Sequence, residues 1–140
     1  MRRIARMAML MSVGLTTACA MSAPPQRSQF IVENFPPIVF FEWDSAQVDE
    51  RTARALKDYS SYALRQTRID VIGHTDRSGT PRYNQRLSEQ RARAVAAELV
   101  RLGIDPAAIV TGAFGEMRPL VPTPDGAVEP QNRRVEVIAR

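Results

Sequence analysis

The sequence predicts an α+β domain: two helices packed on a small mixed sheet, in the order β-α-β-α-β-β. Three observations predict it. Two stretches of helical periodicity, 49–65 and 81–103, alternate with short runs rich in β-branched residues at 38–41, 68–73, 109–113 and 134–139. Capping or turn residues stand at the junctions, among them Asp49, Gly79 and Gly103. Hydrophobic residues make up 44% of the 140, enough to build one core.

The chain begins with an address. Met1–Arg6 holds Arg2, Arg3 and Arg6, and no charge follows from Met7 to Gln26. The apolar run Met7–Ala18 is 12 residues long, short of the ~20 needed to span a bilayer. A basic start before such a run has the form of a signal peptide over 1–18. A buried helix is the alternative, but the run has no polar face. Residues 20–29, AMSAPPQRSQ, read as a linker. Phe30–Phe35 is more apolar and could add a short strand before Pro36-Pro37.

Ile38–Phe41 is the first clear strand, and Trp43-Asp44-Ser45 follows as a turn. Asp49 caps a helix running to about Leu64 or Arg65, with Ala53, Leu56 and Ala63 on one side. Arg68–Gly73 is a second strand, His74–Thr80 a loop, and Pro81 or Tyr83 opens a helix that ends at Gly103. Ile109–Ala113 is a third strand, Gly115–Gln131 a long proline-bearing loop, and Arg134–Ala139 the last strand.

The second helix carries a charge in an unexpected place. At 100° per residue, with Leu87 at zero, Leu102, Val95 and Leu99 fall at about 60°, 80° and 120° and form the apolar stripe. Arg86 and Arg93 fall on the opposite face, as solvated charges do. Arg91 falls at about 40°, inside the stripe, and Asn84 at about 60°. An unpartnered buried guanidinium costs several kcal/mol. Arg91 therefore either pairs with a carboxylate, Asp76 being the nearest candidate, or lines a site that a ligand's carboxylate enters. Glu98 also intrudes on the stripe, so helical phase alone does not decide.

Composition excludes several chemistries. A single cysteine, Cys19, rules out an internal disulfide framework and a cysteine-based zinc site. A single histidine, His74, rules out any site needing two. No metal or cofactor is called for. The net charge of +4, from 19 basic and 15 acidic residues, hints at a polyanion. Three of the basic residues lie in the leader, however, and the others are scattered among acids, so no nucleic-acid surface is expected.

Two resemblances sharpen this picture. Leu15-Thr16-Thr17-Ala18-Cys19 resembles the lipobox of bacterial lipoproteins, with Thr16 where leucine is usual. It implies cleavage before Cys19 and acylation there, with 19–37 as lipidated N-terminus and linker. Ala20 in place of aspartate implies the outer membrane, facing the periplasm. An ordinary signal peptide, and so a secreted soluble protein, is the alternative.

The run G-H-T-D-R-S-G-T-P-R-Y-N-Q-R-L-S-E-Q-R-A-R-A-V over 73–95 closely resembles the OmpA-like peptidoglycan-binding domain. Phe40–Ala46 looks like its first strand and turn, with Trp43 where phenylalanine is commoner, and Phe114-Gly115-Glu116 and Asn132–Glu136 match its closing segments. The resemblance covers 38–140 and is strongest to peptidoglycan-associated lipoproteins of the outer membrane. It implies non-covalent binding of meso-diaminopimelate in the stem peptide. Asp76 would receive the ligand's ammonium, and Arg91 would fork onto its carboxylate. Asn84 would bond the ligand and hold the loop; Thr75, Trp43, Asp44 and Ser45 would close the pocket; Leu87 would border it; and Arg133 would support the carboxylate. For Trp43 core packing is the alternative, and His74 is read as scaffolding. A partnership with the Tol system is implied by the resemblance alone. An enzyme acting on the cell wall is the alternative function, although one cysteine expected to be acylated and one histidine without a motif leave it little chemistry. A flagellar-stator role would require a membrane-spanning helix.

Overall fold

The computed structural model describes residues 37–140. The signal peptide, Cys19, the linker and the strand expected at Phe30–Phe35 lie outside the described residues.

Strand β1 (Ile38–Phe40) is short and puts only Val39 into the core. Helix α1 (Glu50–Ala63) starts where the Asp49 carboxylate accepts from Thr52 N at 2.7 Å. It buries Thr52, Leu56 and Ala63; Ala53, expected on that face, is half-buried. Strand β2 (Ile69–Gly73) is central, with Ile69 and Val71 fully buried. Helix α2 (Pro81–Arg101) is capped by Thr80, whose side chain accepts from Tyr83 N, and Pro81 stands where no N–H is needed. It stops at Leu102, and Gly103 follows at φ +97°, a conformation few other residues tolerate. Strands β3 (Ile109–Ala113) and β4 (Arg134–Ala139) complete the set. Each observed boundary lies within two residues of its expected place.

The four strands lie in the order β1-β4-β2-β3. β2 and β3 run parallel, as a strand–helix–strand crossover through α2 requires. β4 is antiparallel to both β2 and β1, with Val71 opposite Val137 and Val39 opposite Val135. The sheet is mixed, as expected. Its inner face meets Leu56, Ala63, Val95, Leu99 and Ile104 in one cluster. Each fully buried aliphatic side chain there contributes about 1.5–3 kcal/mol.

Two features bring α2 against the sheet where the loop after β2 begins. A Cβ at Gly73 would lie 2.0 Å from the Ser88 carbonyl oxygen, so only glycine permits this crossing. The Ser88 hydroxyl accepts from Gly115 N at 3.0 Å, and Thr75 N donates to Gly115 O at 2.9 Å. The start of the long loop is thereby fixed to both α2 and the β2–α2 loop. At its far end a 3-10 turn (Pro130–Asn132) precedes β4. Buried Asn132 exchanges two 2.8 Å bonds with the Val121 backbone.

Candidate functional site

A cavity of about 40 Å³ opens where four segments meet. Trp43 and Asp44 line it from the β1–α1 turn, Asp76, Ser78 and Gly79 from the β2–α2 loop, Tyr83, Asn84, Leu87 and Arg91 from α2, and Arg133 from the residues before β4. It is sized for a small polar group rather than a cofactor. Larger hollows, of about 570, 440 and 290 Å³, lie along α1, beside β1 and between α2 and β3, lined mostly by exposed or half-buried residues. The small cavity differs in holding Asp76, Asn84 and Arg91, all buried, together with Arg133, which it shares with the hollow beside β1.

Arg91 is completely buried, on the side its helical phase indicates, whereas Glu98 of the same stripe is half-buried. Its partners are backbone carbonyls, not a carboxylate. Nε donates to Ser45 O at 2.8 Å, Nη1 to His74 O at 3.1 Å and Nη2 to Glu42 O at 3.0 Å. The guanidinium carbon also lies 5.3 Å from the Phe41 ring centroid. Of the two alternatives the sequence leaves for Arg91, the ion pair with Asp76 is absent among the described residues. A planar five-donor fork can satisfy carbonyls from two different loops at once, and these loops present them. Burial lowers the Arg91 pKa to about 10, with Asp76 opposing the shift, so the group stays charged at neutral pH. Nη1 and Nη2 each retain one further N–H beyond these bonds.

Asp76 pairs with Arg133 instead, Nη1 to Oδ2 at 3.3 Å. Ser78 donates to Oδ1 from N and Oγ, and Glu129 N donates to Oδ2. Burial pushes the Asp76 pKa up, but the bonds from Ser78, Glu129 and Arg133 outweigh it and hold the carboxyl below its usual range. Arg133 also donates from Nε to Phe41 O at 3.0 Å. It is therefore buried and fixed to the carboxylate side of the cavity.

The remaining residues divide. Asn84 Nδ2 donates to Asp76 O at 3.1 Å and to Glu116 Oε2 at 2.6 Å, holding two loops. Leu87 is buried and lines the cavity. Trp43 is 62% exposed, so it is not core; its Nε1 donates to Ser78 Oγ at 3.2 Å. The Asp44 carboxylate accepts from the Tyr83 hydroxyl. Ser45 and Thr75 do not line the cavity. Ser45 serves through its carbonyl. Thr75 is buried behind the cavity, with its hydroxyl unpaired. His74 is buried with neither ring nitrogen hydrogen-bonded. Burial and the neighbouring Arg134 lower its pKa to about 4, against the pull of Glu136, so the ring is neutral at pH 7.

Sequence reasoning missed Tyr83, Ser78 and Glu116. Ser78 had a signal: an aspartate two residues before a serine is a local Asx turn. Glu116 stands in the Phe114-Gly115-Glu116 match but with no role attached, and Tyr83 had no signal; their partners lie 32 and 39 residues away.

Comparison with known proteins places this arrangement. The OmpA family profile matches residues 40–133. The chain is 39% identical over 100 residues to the peptidoglycan-associated lipoprotein of Pseudomonas aeruginosa, covering 70% of this chain and 59% of that one. It is 43% identical over 109 residues to an outer membrane protein of Gluconacetobacter diazotrophicus, covering 72% and 29%. The chain thus spans less than two thirds of these relatives. Among solved structures, the peptidoglycan-associated lipoprotein of Burkholderia pseudomallei superposes with a TM-score of 0.67 at 31% identity, covering 74% of this chain and 89% of that one. The OmpA-like domain of FopA1 from Francisella tularensis gives 0.65 at 29% identity, covering 71% and 68%. With a matched profile that takes in the β1–α1 turn, the cavity loops and Arg133, the chain belongs to the OmpA family.

Proposed function

We propose that the chain binds peptidoglycan without covalent bonds and without catalysis, through the free end of meso-diaminopimelate in the stem peptide, and tethers the outer membrane to the cell wall. The observation that carries this is a cavity with charge of both signs on its walls, Asp76 with Arg133 and then Arg91. The spare N–H groups on Arg91 Nη1 and Nη2 suit a carboxylate, and the negative wall suits the ammonium beside it. Relatives named as peptidoglycan-associated lipoproteins support the choice of ligand.

The membrane end is Cys19, acylated after cleavage of residues 1–18. Two or three acyl chains, at about 0.8 kcal/mol per buried CH₂, anchor a protein firmly. A mass measurement on protein extracted from membranes tests it: cleavage before Cys19 plus acyl mass is expected, and an unmodified cysteine overturns the anchor. Contact with Tol-system proteins rests on family likeness and is tested by crosslinking in cells.

The wall-binding test is retention on purified sacculi. Wild-type chain should be retained on diaminopimelate-type sacculi and lost from lysine-type sacculi, whose side chain ends without a carboxylate. Asp76→Asn and Arg91→Lys, checked for folding by circular dichroism, should abolish retention. Equal retention on both wall types would overturn the assignment.

A further inference from the structure

Strand β3 ends the sheet on one side, and no strand among the described residues pairs with its far edge. Phe114 N donates to Gly73 O at 3.0 Å. In this parallel ladder Gly112 and Phe114 therefore turn their main chain to β2, and Thr111 and Ala113 turn theirs outward. Natural edges are blunted by a charge, a proline, a bulge or sheer shortness. The opposite edge, β1, has three residues and follows Pro36-Pro37 in the sequence. β3 has five, Ile-Val-Thr-Gly-Ala, with neither charge nor proline. Val110 and Thr111 are both exposed on it.

Gly112 is a second sign that something covers this edge. Its φ is not positive. A Cβ there would meet only the Ile72 side chain, at 4.0 Å. The chain's own fold therefore does not demand glycine, although glycine weakens a strand. A neighbour packed closely against that position would demand it. The adjoining flank of α2 carries Glu89 and Arg93, one turn apart. With Thr111, Gly112 and Ala113 they line the hollow of about 290 Å³ between α2 and β3. Opposite charges spaced this way complement themselves when the helix lies antiparallel beside a copy.

We infer that β3 pairs antiparallel with β3 of a second copy of this chain, about a two-fold axis at Thr111. Thr111 then exchanges main-chain bonds with the partner's Thr111. Val110 falls opposite the partner's Gly112 in a non-hydrogen-bonded pair, where side chains come closest, and fills the space the glycine leaves. The two α2 helices run antiparallel, setting Glu89 against the partner's Arg93 and Arg93 against the partner's Glu89. A two-fold contact uses the same patch on both copies, so the assembly closes at a dimer and leaves no bare β3 edge to propagate. The hollow shares no residue with the cavity, so the pairing stands independently of wall binding.

Full-length chain in detergent is sedimented over a concentration series, with the detergent density-matched. Wild type should pass from one copy to two. Glu89→Arg and Arg93→Glu each set like charges face to face and should weaken pairing about tenfold or more. The double variant should restore it. Thr111→Pro removes an N–H that β2 does not use, and should abolish pairing with circular dichroism unchanged. Wild type that remains a single copy throughout overturns the inference. Pairing that survives Thr111→Pro and both charge variants overturns it too, by placing the contact elsewhere. A double variant no better than the single ones overturns the antiparallel register.

Discussion

Arg133 Nη1 lies 3.3 Å from Asp76 Oδ2, both side chains buried, so the motif's carboxylate is neutralised before any ligand arrives. Removing either partner strands a buried charge, at a cost of about 3–5 kcal/mol. Asp76→Ala should therefore lower the urea midpoint as well as wall binding. Asp76→Asn, still able to accept from Ser78 and Glu129, should lose less. Wild-type stability in both variants would contradict the pairing.

Arg91 satisfies three backbone carbonyls and occupies the volume between two loops. Arg91→Ala leaves the buried His74 carbonyl and the two part-buried carbonyls of Ser45 and Glu42 without their donor, at up to about 1–3 kcal/mol each, and empties the buried volume the side chain fills. A loss of about 4 kcal/mol or more is expected in equilibrium denaturation, enough to unfold a marginal domain. Arg91→Lys keeps the charge but not the planar fork, and should recover about half of that loss.

Gly73→Ala places a Cβ 2.0 Å from the Ser88 carbonyl oxygen, and backbone cannot rotate aside. α2 must lift from the sheet. A loss of about 3 kcal/mol is expected, with a lowered melting temperature. Gly112→Ala is the control, since its nearest neighbour would be the Ile72 side chain at 4.0 Å.

His74 gives the stability a pH dependence. Burial holds its folded pKa at about 4, below the ordinary imidazole value of 6.5. Between these values the unfolded chain binds the extra proton, so stability rises with pH across the window and is lost as pH falls from 6.5 toward 4. The full contribution is about 3 kcal/mol. His74→Leu, which removes two unpaired buried nitrogens, should flatten denaturation free energy over that window. The Asp76 contribution lies lower: with its pKa depressed, it is present above 3.8 and lost only as pH falls through the folded value.

What the sequence made legible was whatever repeats along the chain. The phase of α2 was readable because Leu87, Val95 and Leu99 recur on one face, and that phase put Arg91 inside. The family resemblance names Asp76, Asn84, Arg91, Arg133 and the Trp43–Asp44 turn as one set, and these residues line one cavity. The identity of the Arg91 partners was not readable, because carbonyls of Glu42, Ser45 and His74 belong to every residue type alike. The same holds for Asn132, whose two bonds reach the Val121 backbone. Thr52 is buried beside Leu56 on the inner face of α1, where Ala53 is the residue the alanine pattern favours, because a threonine's short side chain reads as polar in a periodicity although its methyl can pack.

The carbonyls around Arg91 have a consequence for genetics. One side chain holds the β1–α1 turn to the loop after β2 and also faces the cavity. A screen scoring growth or retention would report substitutions there as lost function, when the first casualty is the amount of folded protein. Abundance must be measured beside binding for every Arg91 variant. Asp44, on an exposed turn, is the wall position where the two can be read apart.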